Sequence, residues 1–153
     1  MLAYTVENGG SGPWGGAFCP MKHTAGQYVF VNVPEVSQFE WHPFTISSAP
    51  DDAATTHHIK TMGDGTFTHQ LYELVAQSKT PSQIQVNVDG PYGLSIDCSR
   101  YNAILFVAGG IGITPIHSHL RSLYYAIKIK GQGKSIPSAI KLVWIARDST
   151  SDR

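Results

Sequence analysis

The sequence predicts two architectures in succession. The first is an all-β antiparallel Greek-key barrel with one capping helix, over residues 1–101. The second is the start of an α/β domain over residues 102–153, truncated. Three observations lead there. Short β-branched and aromatic runs alternate with turn residues as far as Tyr101. A single stretch among them carries helical periodicity. Past Asn102 the pattern becomes apolar strand, Gly-rich turn, long helix and apolar strand, which is a βαβ unit.

The elements follow in order. Leu2 to Val6 reads as a strand, and Gly9 to Gly16 as a Gly-rich surface loop. Gln27 to Val33, Phe44 to Ser47, Thr56 to Met62 and Ile84 to Val88 are strands, each running into a turn such as Gly63-Asp64-Gly65 or Asp89-Gly90-Pro91-Tyr92-Gly93. Thr66 or Thr68 caps the one helix, Leu71, Leu74 and Val75 form its apolar stripe, and Pro81 ends it. Ala103 to Ala108 and Ala139 to Ala146 read as buried strands. Between them lies a helix from about Thr114 to Ile129, with Ile116, Leu120, Leu123, Tyr124 and Ile127 on one face and Gly131 and Gly133 after it.

Composition narrows the function. The 153 residues balance 11 basic against 11 acidic side chains, with no basic footprint of the kind phosphate-rich partners require, so nucleic acid is not expected. Cys19 and Cys98 are read as unpaired thiols, and without a C-x-x-C pair a thiolate metal site is not expected. His57, His58, His69, His117 and His119 do not have metal-ligand spacing. Neighbours in a strand point to opposite faces, and positions two apart on a helix share none. No apolar run approaches the ~20 residues that span a bilayer.

The chemistry concentrates in two segments. Gly109-Gly110-Ile111-Gly112-Ile113-Thr114-Pro115 carries a strand into a helix. Glycines there let backbone approach a pyrophosphate, and the helix start offers free N–H groups and partial positive charge. Pro115 suits a first helical turn, and Thr114 can cap the helix or reach a ligand. A tight structural βα turn is the bland alternative. No Gly-Lys-Ser/Thr follows, so this is not a P-loop. Arg147, just past the second strand, stands where a simple NAD fingerprint has an acid, so a 2′-phosphate and NADPH are favoured over NADH, unless it pairs with Asp148 or Asp152.

The second segment is His42-Pro43-Phe44-Thr45-Ile46-Ser47-Ser48-Ala49-Pro50. It resembles the flavin-binding strand of the ferric reductase and NADPH oxidase family, a branch of the ferredoxin-reductase-like flavoproteins. Gly26-Gln27-Tyr28, His58-Ile59-Lys60, Asp89 to Gly93, Gly109 to Pro115 and Leu142 to Asp148 resemble that family's other motifs, in its order and spacing.

The resemblance implies a cofactor-binding set of His42, Pro43, Phe44, Thr45, His58, Ile59, Lys60, Phe67, Thr68, Gly109, Gly110, Gly112, Thr114, Pro115 and Arg147. His42 would lie near the ribityl-phosphate arm of FAD, and Phe44 against the isoalloxazine ring. Thr45, the catalytic candidate, would place its hydroxyl near flavin N5. Lys60 replaces the family's usual Arg at the pyrophosphate and keeps the charge but not the bidentate fork. Phe67-Thr68 would fill the family's Trp-Thr position after a short insertion. Gly90 to Gly93 would lie where nicotinamide approaches.

FAD and NADPH are therefore the implied cofactors. Electrons would pass to haem in a transmembrane domain outside this chain, with this region on the cytosolic side, and then to ferric iron or dioxygen. The chain alone is not expected to turn over NADPH, because the rest of the nucleotide-binding sheet is missing. Two alternatives stay open: a soluble ferredoxin-reductase-like enzyme, which would carry Arg where His42 stands, and a β-barrel interaction module without cofactor.

Overall fold

A computed structural model describes residues 2–7 by their backbone, and residues 21–78, 84–128 and 136–146 in full. The strands are β1 (Leu2–Glu7), β2 (Tyr28–Asn32), β3 (His42–Thr45), β4 (Ala54–Ile59), β5 (Asn87–Tyr92), β6 (Ala103–Gly109) and β7 (Ala139–Ile145). Helix α1 (Phe67–Gln77) lies between β4 and β5, and α2 (Ile113–Lys128) between β6 and β7.

The first half is antiparallel throughout. β1 pairs with β4, and β2 lies between β3 and β5. An Ile46–His57 bridge continues β3 onto β4. Among the described residues the ladders form separate two- and three-stranded sheets rather than a closed ring. Alternation along β2 and β4 sends Val29, Val31 and Ile59 inward, where Val33, Ile46, Phe67 and Leu71 meet them. Each such buried side chain contributes about 1.5–3 kcal/mol of transfer free energy. Thr66 caps α1, its hydroxyl accepting from His69 N–H at 3.3 Å, and so brings Phe67 and Leu71 onto the core.

Several strand limits differ from expectation. β3 begins at His42, because Pro43 pairs with Phe30 without needing an N–H. The Ile84–Val88 strand is displaced onto Asn87–Tyr92. Ile84 and Val86 instead pack their side chains against the core, while Gly90-Pro91-Tyr92, read as a turn, belongs to β5. Gly90–Pro91 is cis, and the register with β2 shifts between Tyr28 and Phe30.

β6 and β7 are parallel neighbours in full register from Ala103↔Ala139 to Gly109↔Ile145, as the βαβ reading requires. They are not buried strands, however. Leu105, Val107 and Ile145 are each at least 60% exposed, because no second layer of described residues covers that face. The α2 stripe is likewise divided. Leu123 is buried but Tyr124 and Ile127 are exposed, and the face that packs inward holds Thr114, Ser118 and His119. Pro81, Gly131, Gly133, Cys19, and the Gly9 to Gly16 loop fall outside the described residues.

Candidate functional site

One open cleft of about 360 Å³ runs between the antiparallel sheet and the start of α2. From β3 come Pro43, Phe44 and Thr45, and from the end of β4 come His58, Ile59 and Lys60. Thr68 enters from the first turn of α1, and Gly112, Thr114 and Pro115 form the opposite wall. Residues 67 positions apart in sequence, such as Thr45 and Gly112, therefore share one groove. Met62 and Ile111 line it as well. Sequence reasoning missed both, although Met62 stands two residues past Lys60 and Ile111 lies inside the Gly turn.

The strand pattern accounts for the sheet wall. β3 and β4 join antiparallel through the Ile46–His57 bridge, so Thr45 and His58 meet on neighbouring strands. His57 faces the opposite way and is fully buried, donating Nδ1–H to the Thr45 carbonyl at 3.0 Å. Burial pushes its pKa down to about 4, so it is neutral at pH 7 and holds the Thr45 backbone by a neutral hydrogen bond. His58 is half-buried, and its pKa is lowered by burial and by His117, whose ring lies edge-on at 5.5 Å. Nδ1 of His58 is buried without a hydrogen-bond partner among the described residues.

The second wall is the Gly turn. Gly109 ends β6, and Gly110–Gly112 forms a single 3-10 turn that runs into α2. Gly110 has φ +50°, which L side chains rarely adopt, and a Cβ on Gly109, Gly110 or Gly112 would meet nothing within 4 Å. The glycines therefore keep backbone open to the outside. Thr114 does not point a free hydroxyl outward: Oγ1 donates to the Ile111 carbonyl at 2.9 Å and closes the turn. Trp144 Nε1–H donates to the Gly110 carbonyl at 3.0 Å, so β7 buttresses the turn, a contact with no sequence signature.

Not every expected site residue lines the cleft. His42 and Phe67, stacked on each other, are not among its lining residues, nor are Gly109 and Gly110. Arg147 falls outside the described residues. No cluster of three or more potential metal ligands occurs among the described residues. His117 and His119 have separate neighbours: His117 donates to the Ser47 carbonyl, and His119 packs near Cys98 and Phe106.

Two family models match this arrangement in succession. Residues 18–96 match an FAD-binding domain, and residues 101–151 match a ferric reductase NAD-binding domain. The chain belongs to the ferric reductase and NADPH oxidase family.

Relatives within the family agree. NADPH oxidase 1 of Rattus norvegicus is 38% identical over 125 residues, covering 81% of this chain and 22% of that protein. NADPH oxidase 3 of Homo sapiens is 36% identical over 134 residues, covering 84% and 23%. Respiratory burst oxidase homolog protein B of Solanum tuberosum is 36% identical over 160 residues, covering 85% and 18%. The chain thus spans about a fifth of the length of these curated relatives. Among solved structures, ferredoxin-NADP+ reductase from Plasmodium falciparum superimposes with a TM-score of 0.59 at 18% identity, covering 85% of this chain and 49% of that one. Phthalate dioxygenase reductase does so with a TM-score of 0.59 at 21% identity, covering 82% and 34%. The fold of the family member described here is therefore the ferredoxin-reductase-like FAD/NAD-binding fold.

Proposed function

We propose that this chain is the flavin-binding part, with the beginning of the nicotinamide-nucleotide-binding part, of a membrane oxidoreductase. Electrons would run from NADPH through FAD toward haem in a transmembrane domain, and then to ferric iron or dioxygen. In this reading residues 1–101 form an FAD-binding Greek-key barrel, residues 102–153 open the nucleotide domain, and the region lies on the cytosolic side. The observation that carries the proposal is the cleft itself. Ten residues expected at the cofactors, from Pro43 on β3 to Pro115 on α2, line it together.

The residues suit the two nucleotide cofactors in three respects. The buried Nδ1 of His58 lacks a partner among the described residues, which a polar ligand atom would satisfy. Lys60 lines the cleft and is exposed, a cation for phosphate. Thr68 also lines it, but its Oγ1 accepts from Met62 N–H at 3.0 Å and pairs with Thr66 Oγ1 at 3.2 Å, closing the start of α1. Open backbone at Gly109, Gly110 and Gly112 suits the close approach of a second nucleotide.

When bound, FAD supplies a hydride acceptor that releases electrons singly, chemistry no side chain of this chain can perform. The residues would bind and orient. Phe44 offers an aromatic face, and Thr45 a hydroxyl donor for the flavin's reactive nitrogen. Their backbone is held by His57 at the Thr45 carbonyl. Lys60 would take phosphate charge. Arg147 would favour NADPH through a 2′-phosphate.

Adding FAD to the purified chain tests the reading. Uptake near one equivalent, followed by flavin absorbance after desalting and weakened by Phe44→Ala, is the expected result. Protein that stays colourless and takes up no FAD would sink it, and would favour an interaction module built on the same sheet.

A further inference from the structure

The sheet and α2 are joined by a second set of contacts, carried by residues that do not line the cleft. Asp52, in the turn after the His42–Pro50 segment, accepts from Ala49 N–H at 2.7 Å and from Arg121 Nε–H at 2.8 Å on Oδ2. Its Oδ1 accepts from the Tyr125 hydroxyl at 2.8 Å and from the second Arg121 nitrogen. One carboxylate, 12% exposed, thus closes its own turn and clamps two successive turns of α2. Beside it, Ser118 Oγ donates to the Ser48 carbonyl at 2.6 Å, and His117 Nδ1–H to the Ser47 carbonyl at 2.9 Å.

Connectivity makes this clamp consequential. Ser47 and Ser48 directly continue the strand that carries Phe44 and Thr45, and α2 directly continues the turn that carries Gly112 and Thr114. Both cleft walls therefore extend into the two sides of one polar seam. The strand side offers backbone carbonyls and a carboxylate, and the helix side offers hydroxyl, imidazole and guanidinium donors. A bidentate Arg–carboxylate pair fixes orientation as well as distance. Asp52 keeps its charge. Burial by itself would raise its pKa, but Arg121, the Ala49 N–H and Tyr125 together outweigh burial and hold the carboxyl below the usual range.

We propose that Asp52, Arg121 and Tyr125 are positioning residues, which set the separation between the flavin strand and the nucleotide turn by fixing α2 on the Ser47–Asp52 segment. The inference rests on the cleft being the place where flavin and nicotinamide meet. The residues touch neither cofactor and act through Ser47, Ser48 and the start of α2. Breaking the clamp leaves both walls folded but lets the cleft widen, so a flavin held by the sheet becomes more open to attack from the α2 side.

Two readouts on this chain test the proposal. Amide hydrogen exchange needs no cofactor. In Arg121→Ala, exchange of the Ser118 to Leu123 amides is expected to rise by about fivefold, as suits a partly exposed pair of good geometry, while the Val29 and Val31 amides keep their rates. Tyr125→Phe, which removes a single hydrogen bond, gives a smaller rise, and Arg121→Lys recovers part of the loss. With FAD bound, the rate of sulfite addition to the flavin, read as bleaching of its visible absorbance, rises in the same order. Unchanged α2 exchange in Arg121→Ala overturns the clamp. Exchange that rises equally at Val29 and Val31 reduces it to general stability. Faster α2 exchange with an unchanged sulfite rate overturns the positioning role. Failure of the parent chain to take up FAD defeats the functional reading instead, and the exchange data still judge the clamp.

Discussion

His42 lies face to face with Phe67, their ring centroids 4.1 Å apart and their planes inclined by 24°. The pair joins the first residue of β3 to the first residue of α1, two positions read in the sequence as independent contacts to a cofactor. Phe67 is buried and also lies against Phe44, with centroids 6.4 Å apart. It therefore does not line the cleft but supports the aromatic ring that does. Glu40 holds the outer edge of His42, with Oε2 3.2 Å from Nε2.

Phe67→Ala is expected to cost about 3 kcal/mol of stability, as is usual for a buried phenylalanine, and to loosen Phe44. Phe67→Leu restores apolar volume without the stack and should cost less than half as much. Urea unfolding of the two variants checks this. FAD affinity should follow the aromatic ring, and so fall in both.

His57 predicts the pH dependence of folding. Burial lowers its folded pKa from the ordinary 6.5 to about 4. Above pH 6.5 the group is neutral in both states and its full contribution is present. As pH falls from 6.5 toward 4 the unfolded chain binds a proton that the folded chain refuses, so stability is lost across that window. The loss is about 3 kcal/mol by the time the folded pKa is passed. His58 and His119, also lowered by burial, add in the same direction. Urea midpoints at pH 7.5 and pH 4.5, compared with His57→Asn, should show a shallower loss in the variant, which keeps a donor for the Thr45 carbonyl.

The sequence made the site more legible than the packing around it. Most cleft residues fall within short runs, Pro43–Thr45, His58–Lys60 and Ile111–Pro115, whose order is a one-dimensional signal. The seam is not contiguous. Asp52, Arg121 and Tyr125 are ordinary surface-type residues, the last two standing 69 and 73 positions beyond the first, and only the docking of α2 unites them. The α2 stripe misled for a related reason. Ile116, Leu120 and Tyr124 have the right period, but the face against the sheet is set by hydrogen bonds from His117 and Ser118. The displaced β5 shows the limit of turn residues as punctuation, since Gly90 and Pro91 lie inside a strand whose register shifts to admit them.

Lys60 gives a prediction in the direction of gain. It lines the cleft, exposed, as a point charge where a forked guanidinium would contact two phosphate oxygens at once. Lys60→Arg should tighten FAD binding by several-fold, and Lys60→Glu should weaken it by about tenfold or more, the scale of a charge-assisted hydrogen bond lost and a repulsion added. Equilibrium titration at two salt concentrations separates the charge from the geometry, because only the former is screened. Equal affinities for all three proteins would remove Lys60 from the phosphate site.

Two independent constraints act on Gly26. Its φ is +88°, in the left-handed region, and a Cβ there would lie 2.6 Å from Nε2 of His119. Relieving the overlap means turning the ring away from Phe106, against which it stacks, and from Cys98. Gly26→Ala should therefore cost about 1 kcal/mol for the backbone and a further 1–3 kcal/mol for the overlap. The two costs separate in a double-mutant cycle. His119→Ala removes the overlapping ring, so adding it to Gly26→Ala should recover the second part and leave the first. Strict additivity of the two substitutions would mean that His119 does not approach Gly26.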